Sequence, residues 1–184
     1  IDEHQAVLVE TIHAFCWRCM GQFQSVLRTE VGKLQRYSDK IAEAGGIGNR
    51  RIEYDIGYFG VHDDRITLHH DDIPQLMACF LAMPKFQQIF SRSYPVVFID
   101  EYQDTNDEFM TALATHFLKP KVGPLIGLFG DHWQTIYRDD FNLAALPNVE
   151  GIDKGSNFRS VSVVVDMLNR LRPTLPQVVD DETA

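Results

Sequence analysis

Asp100 and Glu101 stand at the end of an uninterrupted apolar run, Val96-Val97-Phe98-Ile99, where a buried strand would meet its loop. In open parallel α/β sheets, ligands bind at the carboxyl ends of the strands. An aspartate there can hold Mg²⁺, directly or through water, with the ion bridging nucleotide phosphates. A neighbouring glutamate can orient and deprotonate an attacking water. The two tasks need adjacent carboxylates with different exposures, which a strand terminus supplies. A bare Asp-Glu pair after an apolar run would only begin a turn. The decision therefore rests on the whole string Asp-Glu-Tyr-Gln-Asp-Thr-Asn, 100 to 106.

The elements that must position this pair are legible as a change of pattern near Pro95. Before it, residues 6 to 27 carry a helical stripe of Ile12, Phe15, Cys16, Cys19, Phe23, Val26 and Leu27. Gly45-Gly46-Ile47-Gly48-Asn49 reads as a flexible loop. Ile52, Tyr54, Ile56 and Tyr58 alternate, and Ile66-Thr67-Leu68 follows Asp63-Asp64, so a short hairpin is predicted. Asp71-Asp72-Ile73-Pro74 reads as a helix start, with a carboxylate to cap amides and proline in the first turn. Two short helices, broken near Pro84, are expected over 73 to 92. After Pro95 the order becomes strand, turn, helix, repeated: Val96 to Ile99, a helix over Asn106 to Leu118, then Leu125 to Phe129. Such runs suit strands buried on both faces of a parallel sheet. A last amphipathic helix, 160 to 171, is stopped by Pro173.

The string at 100 to 106 resembles the second motif, the Walker B strand end, of the UvrD/Rep/PcrA family of superfamily 1 DNA helicases. Two further segments resemble later motifs of that family, in order. Leu128-Phe129-Gly130-Asp131-His132-Trp133-Gln134-Thr135-Ile136-Tyr137 is similar to the third motif, and Asn157-Phe158-Arg159-Ser160 looks like its Asn-Tyr-Arg-Ser segment. Thr11-Ile12-His13-Ala14-Phe15 is similar to the family's Thr-Phe-His-Ser-Phe segment along the single strand. The resemblance implies ATP and Mg²⁺ as cofactors, Asp100 as metal ligand, and Glu101, Gln134 and Arg159 as the catalytic set. Arginine suits the γ-phosphate because its charge is permanent and its fork matches phosphate oxygens. Asp100, Gln103, Asp104, Asp131 and Tyr137 would line the nucleotide. Thr11, His13 and Tyr137 would touch DNA, the first two through phosphate and the last by stacking on a base. Without the resemblance, His13 would be read as an ordinary helix-start histidine.

The implied fold is α/β: part of the RecA-like P-loop NTPase parallel sheet, subdomain 1A, with a mainly helical 1B insertion. Residues 1–19 would end the first 1A segment and 20–92 form the 1B-like insertion and return helices. Residues 93–150 would be the second 1A segment, and 151–184 would lead into 2A. The sequence departs from the family in two places. No segment matches Gly-x-x-x-x-Gly-Lys-Ser/Thr, and Gly45 to Arg50 lacks the lysine and hydroxyl that grip phosphates and metal. The phosphate loop is therefore expected upstream of Ile1, and the chain alone is expected to hydrolyse ATP poorly or not at all. After Tyr137, Arg138-Asp139-Asp140-Phe141 replaces the usual Gly-Trp-Arg-Gly, so the stacking tryptophan is missing. The 1B region, about 70 residues, is also short beside the family's, which implies a reduced duplex-contacting surface.

Acidic residues outnumber basic ones, 26 to 17, for a net charge of −9. That argues against a surface that binds phosphate backbones throughout, though not against a local track. Three cysteines suit a reducing compartment, consistent with a cytoplasmic protein. No apolar run approaches the roughly 20 residues that cross a bilayer. Cys16-Trp17-Arg18-Cys19 reads as buried small residues on one helix face rather than a zinc or redox pair. His69-His70-Asp71-Asp72 reads as a strand-to-helix junction rather than a metal site. Two functions remain open. The first is an ATP-driven 3′-to-5′ helicase or translocase. Its partners would be single-stranded or partly duplex DNA and the rest of its own polypeptide, the Walker A segment and the 2A and 2B domains. The second is a non-catalytic nucleic-acid- or protein-binding module on the same scaffold. The Gln-x-Ile-Tyr segment disfavours a nucleotide kinase. Repair, replication restart and phage defence all use such motors.

Overall fold

Thr11 begins the first helix: its hydroxyl accepts from the Ala14 N–H at 3.3 Å, satisfying one of the amides that a helix start leaves over. The computed structural model describes residues 7–55, 58–131, 146 and 148–179. The chain divides into two units, Ile1–Asn148 and Val149–Ala184.

In the first unit, α1 (Ile12–Met20) and α2 (Gln24–Val31) share the predicted stripe, with a turn at Gly21 between them. Cys16, Met20, Leu27 and Val31 are wholly buried. After α3 (Ser38–Glu43), the glycine-rich segment is a set of ordered turns rather than a loose loop. Gly45, Gly46 and Gly48 all take positive φ, and the Arg50 guanidinium donates to the carbonyls of Ala44, Gly46 and His62.

The predicted hairpin over 52–68 takes a different form. Strand β1 (Arg51–Tyr54) lies parallel to β3 (Arg65–Leu68), in register Ile52↔Ile66, and the antiparallel partner of β3 is the short β2 (Gly60–Val61). The turn at Asp63-Asp64 does make a hairpin, closed by the His62 N–H on the Arg65 carbonyl. It joins β2 to β3, because burying Ile52 and Ile66 side by side brings β1 to the other edge of β3. The alternation breaks before Tyr58, which is 88% exposed, and Ile56 lies outside the described residues. Gln24 docks α2 on the open edge of β1: its carboxamide accepts from the Ile52 N–H and donates to the Ile52 carbonyl.

Helices α4 (Asp72–Leu81) and α5 (Pro84–Ser93) follow, with Pro84 in the first turn of α5. The aspartates before α4 do not cap it as expected. Asp71 makes no capping bond, and Asp72 is wholly buried. Its Oδ2 instead accepts from the Tyr37 hydroxyl at 2.8 Å and the His69 N–H at 2.9 Å, and Arg36 pairs with Oδ1. A buried carboxylate needs several donors, and Tyr37, Arg36 and the His69 amide supply them in place of the amides of the first turn of α4.

Strands β4 (Val96–Ile99) and β5 (Leu125–Leu128) pair in parallel, linked by α6 (Asp107–Leu113) and its π-helical continuation, Ala114–Leu118. Ile99 packs on the core, together with Val97, Ile126 and Leu128. The expectation of burial on both faces fails. Val96, Phe98 and Leu125 are 49%, 66% and 67% exposed, because among the described residues only one face is covered. Phe98 lies opposite Gly127, where a Cβ would come within 2.7 Å of its ring.

The second unit is a small βαβ element. Strand β6 (Ser156–Asn157) runs parallel to β7 (Val178–Val179), and α7 (Ser162–Leu171) connects them. The Asn169 carboxamide bonds the backbone of Gln177 in both directions. The architecture is mixed α/β with small sheets that include parallel pairs.

Candidate active site

At the end of β4 the ladder with β5 continues, as the Phe129 N–H donates to the Ile99 carbonyl and the Tyr102 N–H to the Phe129 carbonyl. Between these two bonds the chain must turn sharply, and Glu101 does so in the left-handed region, φ 47 and ψ 45. A non-glycine residue held there costs on the order of 1–3 kcal/mol and persists only where its surroundings over-determine it. The Asp100 carboxylate accepts from the Glu101 N–H at 3.0 Å, and both side chains remain exposed. A single 3-10 turn, Tyr102–Asp104, follows, and Asn106 caps α6 by accepting from the Phe109 N–H at 3.0 Å. The string 100 to 106 thus divides its work: carboxylates face outward at its start, and the cap that launches α6 closes it.

Gln103 is the buried member of the string, 5% exposed. Its Nε2 donates to Glu101 Oε2 at 2.6 Å, and its Oε1 accepts from the Asp131 N–H at 3.2 Å. Gly130 makes room for it, since a Cβ there would fall 2.0 Å from the Gln103 Oε1. Asp104 is exposed beside this network. Gln134 and Tyr137, together with Trp133 and Phe141, lie outside the described residues.

Arg159 is in the second unit, exposed. Asn157 shapes its turn by accepting from the N–H groups of Arg159 at 3.0 Å and Ser160 at 2.8 Å. Thr11 and His13 sit at the start of α1. The His13 ring stacks on His70, whose Nδ1 lies 2.6 Å from the Tyr54 hydroxyl. Burial pushes the His13 imidazole below its usual range; His70 adds to the lowering and Asp71 opposes it. Its resting form is therefore neutral, able to donate one hydrogen bond to a phosphate but not a full charge.

Sequence reasoning missed the Gln103 bridge, the His13–His70 stack and the buried Asp72 cluster. Gln103 lay inside a recognised motif, so the signal was present but its partner was not. The cysteines are all free; Cys16 and Cys19 are buried and Cys79 is exposed. Burial raises the Cys16 thiol far above its ordinary range and pushes Cys19 up to about 12. Among the described residues, no group of three or more His, Cys, Asp or Glu converges to hold a metal. No helix among them is long and apolar enough to cross a membrane.

A carboxylate pair at the carboxyl end of a parallel strand, beside the end of its neighbour, stands where open α/β sheets bind their ligands. The chain belongs to the UvrD/REP helicase N-terminal domain family, which residues 34–156 match. Helicases of this family bind ATP with Mg²⁺ and engage nucleic acid. The chain is also 29% identical over 163 residues to the Gabija protein GajB of Bacillus cereus (strain HuB5-5). That alignment covers 83% of this chain and 24% of the relative, so the chain spans about a quarter of the length of the curated relative it matches. No solved structure matches it. A role in DNA repair draws no support from these likenesses.

Proposed function

We propose that this chain supplies the metal and water side of the ATP site, and part of the DNA track, of a 3′-to-5′ DNA translocase or helicase. The observation that carries the proposal is the Asp100–Glu101 pair at the end of β4, with the Glu101 carboxylate fixed by Gln103. Mg²⁺ in such sites is held by one or two carboxylates together with substrate phosphates rather than by a protein cage. Asp100 fits that demand: it is exposed and its one described partner is a backbone N–H. Bound Mg²⁺ would neutralise the charge that develops on the transferred phosphoryl group. Glu101 orients the attacking water and takes its proton. Gln134 and Arg159 reach the γ-phosphate, Asp104, Asp131 and Tyr137 line the nucleotide, and Thr11, His13 and Tyr137 contact single-stranded DNA.

In this reading, residues 1–19 and 93–150 are the two 1A segments of a RecA-like domain, 20–92 the 1B-like insertion, and 151–184 the approach to 2A. The Thr11 hydroxyl keeps its proton for a phosphate, because its oxygen acts as acceptor in the cap. The likeness to a Gabija protein makes a Gabija setting the first to test, ahead of repair. Glu101→Gln in the intact protein is expected to keep ATP binding and to lower turnover by about 100-fold or more. Wild-type turnover in that variant would remove Glu101 from the role of base.

A binding module without a motor is the second reading, favoured by Arg138-Asp139-Asp140 where the family carries its stacking tryptophan. It is distinguished by nucleotide binding: the module binds DNA or protein with no ATP affinity, and Asp100→Ala leaves that binding unchanged.

A further inference from the structure

Both hydrogen-bonding ends of the Gln103 side chain are committed inside the protein. The donor end is on the Glu101 carboxylate, and the acceptor end is on the Asp131 amide. Reversing the carboxamide would set its oxygen against a carboxylate and its NH₂ against an N–H, two repulsive contacts, so its orientation is chemically determined. Gly130 supports the same arrangement, because any side chain there would displace the Gln103 oxygen and press on the Tyr102 ring. Glu101 has little other restraint: it is exposed, and its backbone sits in a region that glutamate does not favour.

We propose that Gln103 is a positioning residue that ties the Glu101 carboxylate to the backbone at Asp131, so that the orientation of the base is set from the end of β5. The inference rests on the reading of Glu101 as the base. It assigns Gln103 a role through Glu101 rather than through the nucleotide. A carboxylate that must meet one water in line loses rate steeply when it swings, about 100-fold for a misplacement of 1 Å.

The test uses the intact protein with two readouts, steady-state ATP turnover and amide hydrogen exchange of the 129–131 backbone without nucleotide. Gln103→Ala and Gly130→Ala are expected to lower kcat by about 10- to 100-fold with KM for ATP little changed. Both should speed exchange at the Asp131 amide. Gln103→Glu, nearly the same shape, keeps the acceptor for that amide and loses the donor to Glu101. It should preserve slow exchange at the Asp131 amide while lowering kcat, with KM for ATP little changed. Wild-type kcat in Gln103→Ala, or exchange at Asp131 that does not change, overturns the proposal. A raised KM with unchanged kcat does so as well, by making Gln103 a nucleotide contact. The exchange readout is independent of turnover, so a failure of Glu101 as base, seen in Glu101→Gln, is told apart from a failure of the bridge.

Discussion

The His13 and His70 rings lie face to face, their centroids 3.4 Å apart and their planes 17° from parallel. Two imidazoles at that distance cannot both carry charge cheaply. The Tyr54 hydroxyl lies 2.6 Å from the His70 Nδ1, and the Asp71 carboxylate favours a charged His13.

The stack makes stability depend on pH. The folded pKa of His13 lies below its ordinary value of 6.5, chiefly through burial. Between the two values the unfolded chain binds more protons, so stability is fully present above the ordinary value and is lost as pH falls through the lowered one. Melting temperature should fall on acidification from about pH 8 to about pH 5. His13→Phe should flatten that slope; an unchanged slope would place the effect elsewhere.

Asp72 is a second point of leverage. Removing the carboxylate in Asp72→Ala leaves the Tyr37 hydroxyl and the His69 amide without their acceptor and breaks the pair with Arg36. A loss of about 3 kcal/mol in urea denaturation is expected, and Asp72→Asn, which can still accept from Tyr37, should lose less.

Glu101 pays in stability for its place at the strand end. Glu101→Gly should raise stability by about 1 kcal/mol, as glycine takes φ 47 without strain, while abolishing turnover. Thermal denaturation and ATP turnover measured together check the opposition of the two effects. A Glu101→Gly protein less stable than wild type would show that the Gln103 bond outweighs the backbone strain.

Thiol reagents should separate the cysteines. Cys79 is exposed, whereas Cys16 is wholly buried and Cys19 nearly so, with their thiols held protonated. Alkylation of the native protein followed by peptide mass analysis should find Cys79 labelled first, and all three labelled only after unfolding.

What could be read without the structure follows a physical line. Val96 to Ile99 announced a strand because its apolar run is local, and Asp100-Glu101 could be placed at its end for the same reason. The two helices around Pro84 were legible through the backbone preference of proline. Pairing was not: β1 carries nothing in its own four residues that chooses the parallel edge of β3 over a hairpin. Asp72 looked like a cap because its near neighbours suggested one, yet its hydroxyl partner is 35 positions away. Gln103 answers to an amide 28 positions downstream. The exposed side of β4 and β5 escaped notice because an apolar run states only that its residues avoid water, not how many neighbours will shield them.

That side has a practical consequence. Among the described residues β4 and β5 pair only with each other, and the uncovered face of the pair carries Val96, Phe98 and Leu125 in the open. A net charge of −9 on each molecule opposes such contact through mutual repulsion. Salt shortens the reach of that repulsion to about 8 Å at physiological ionic strength. The isolated chain is therefore expected to stick to itself more as salt is added, a colloid whose adhesion light scattering across a salt series would read.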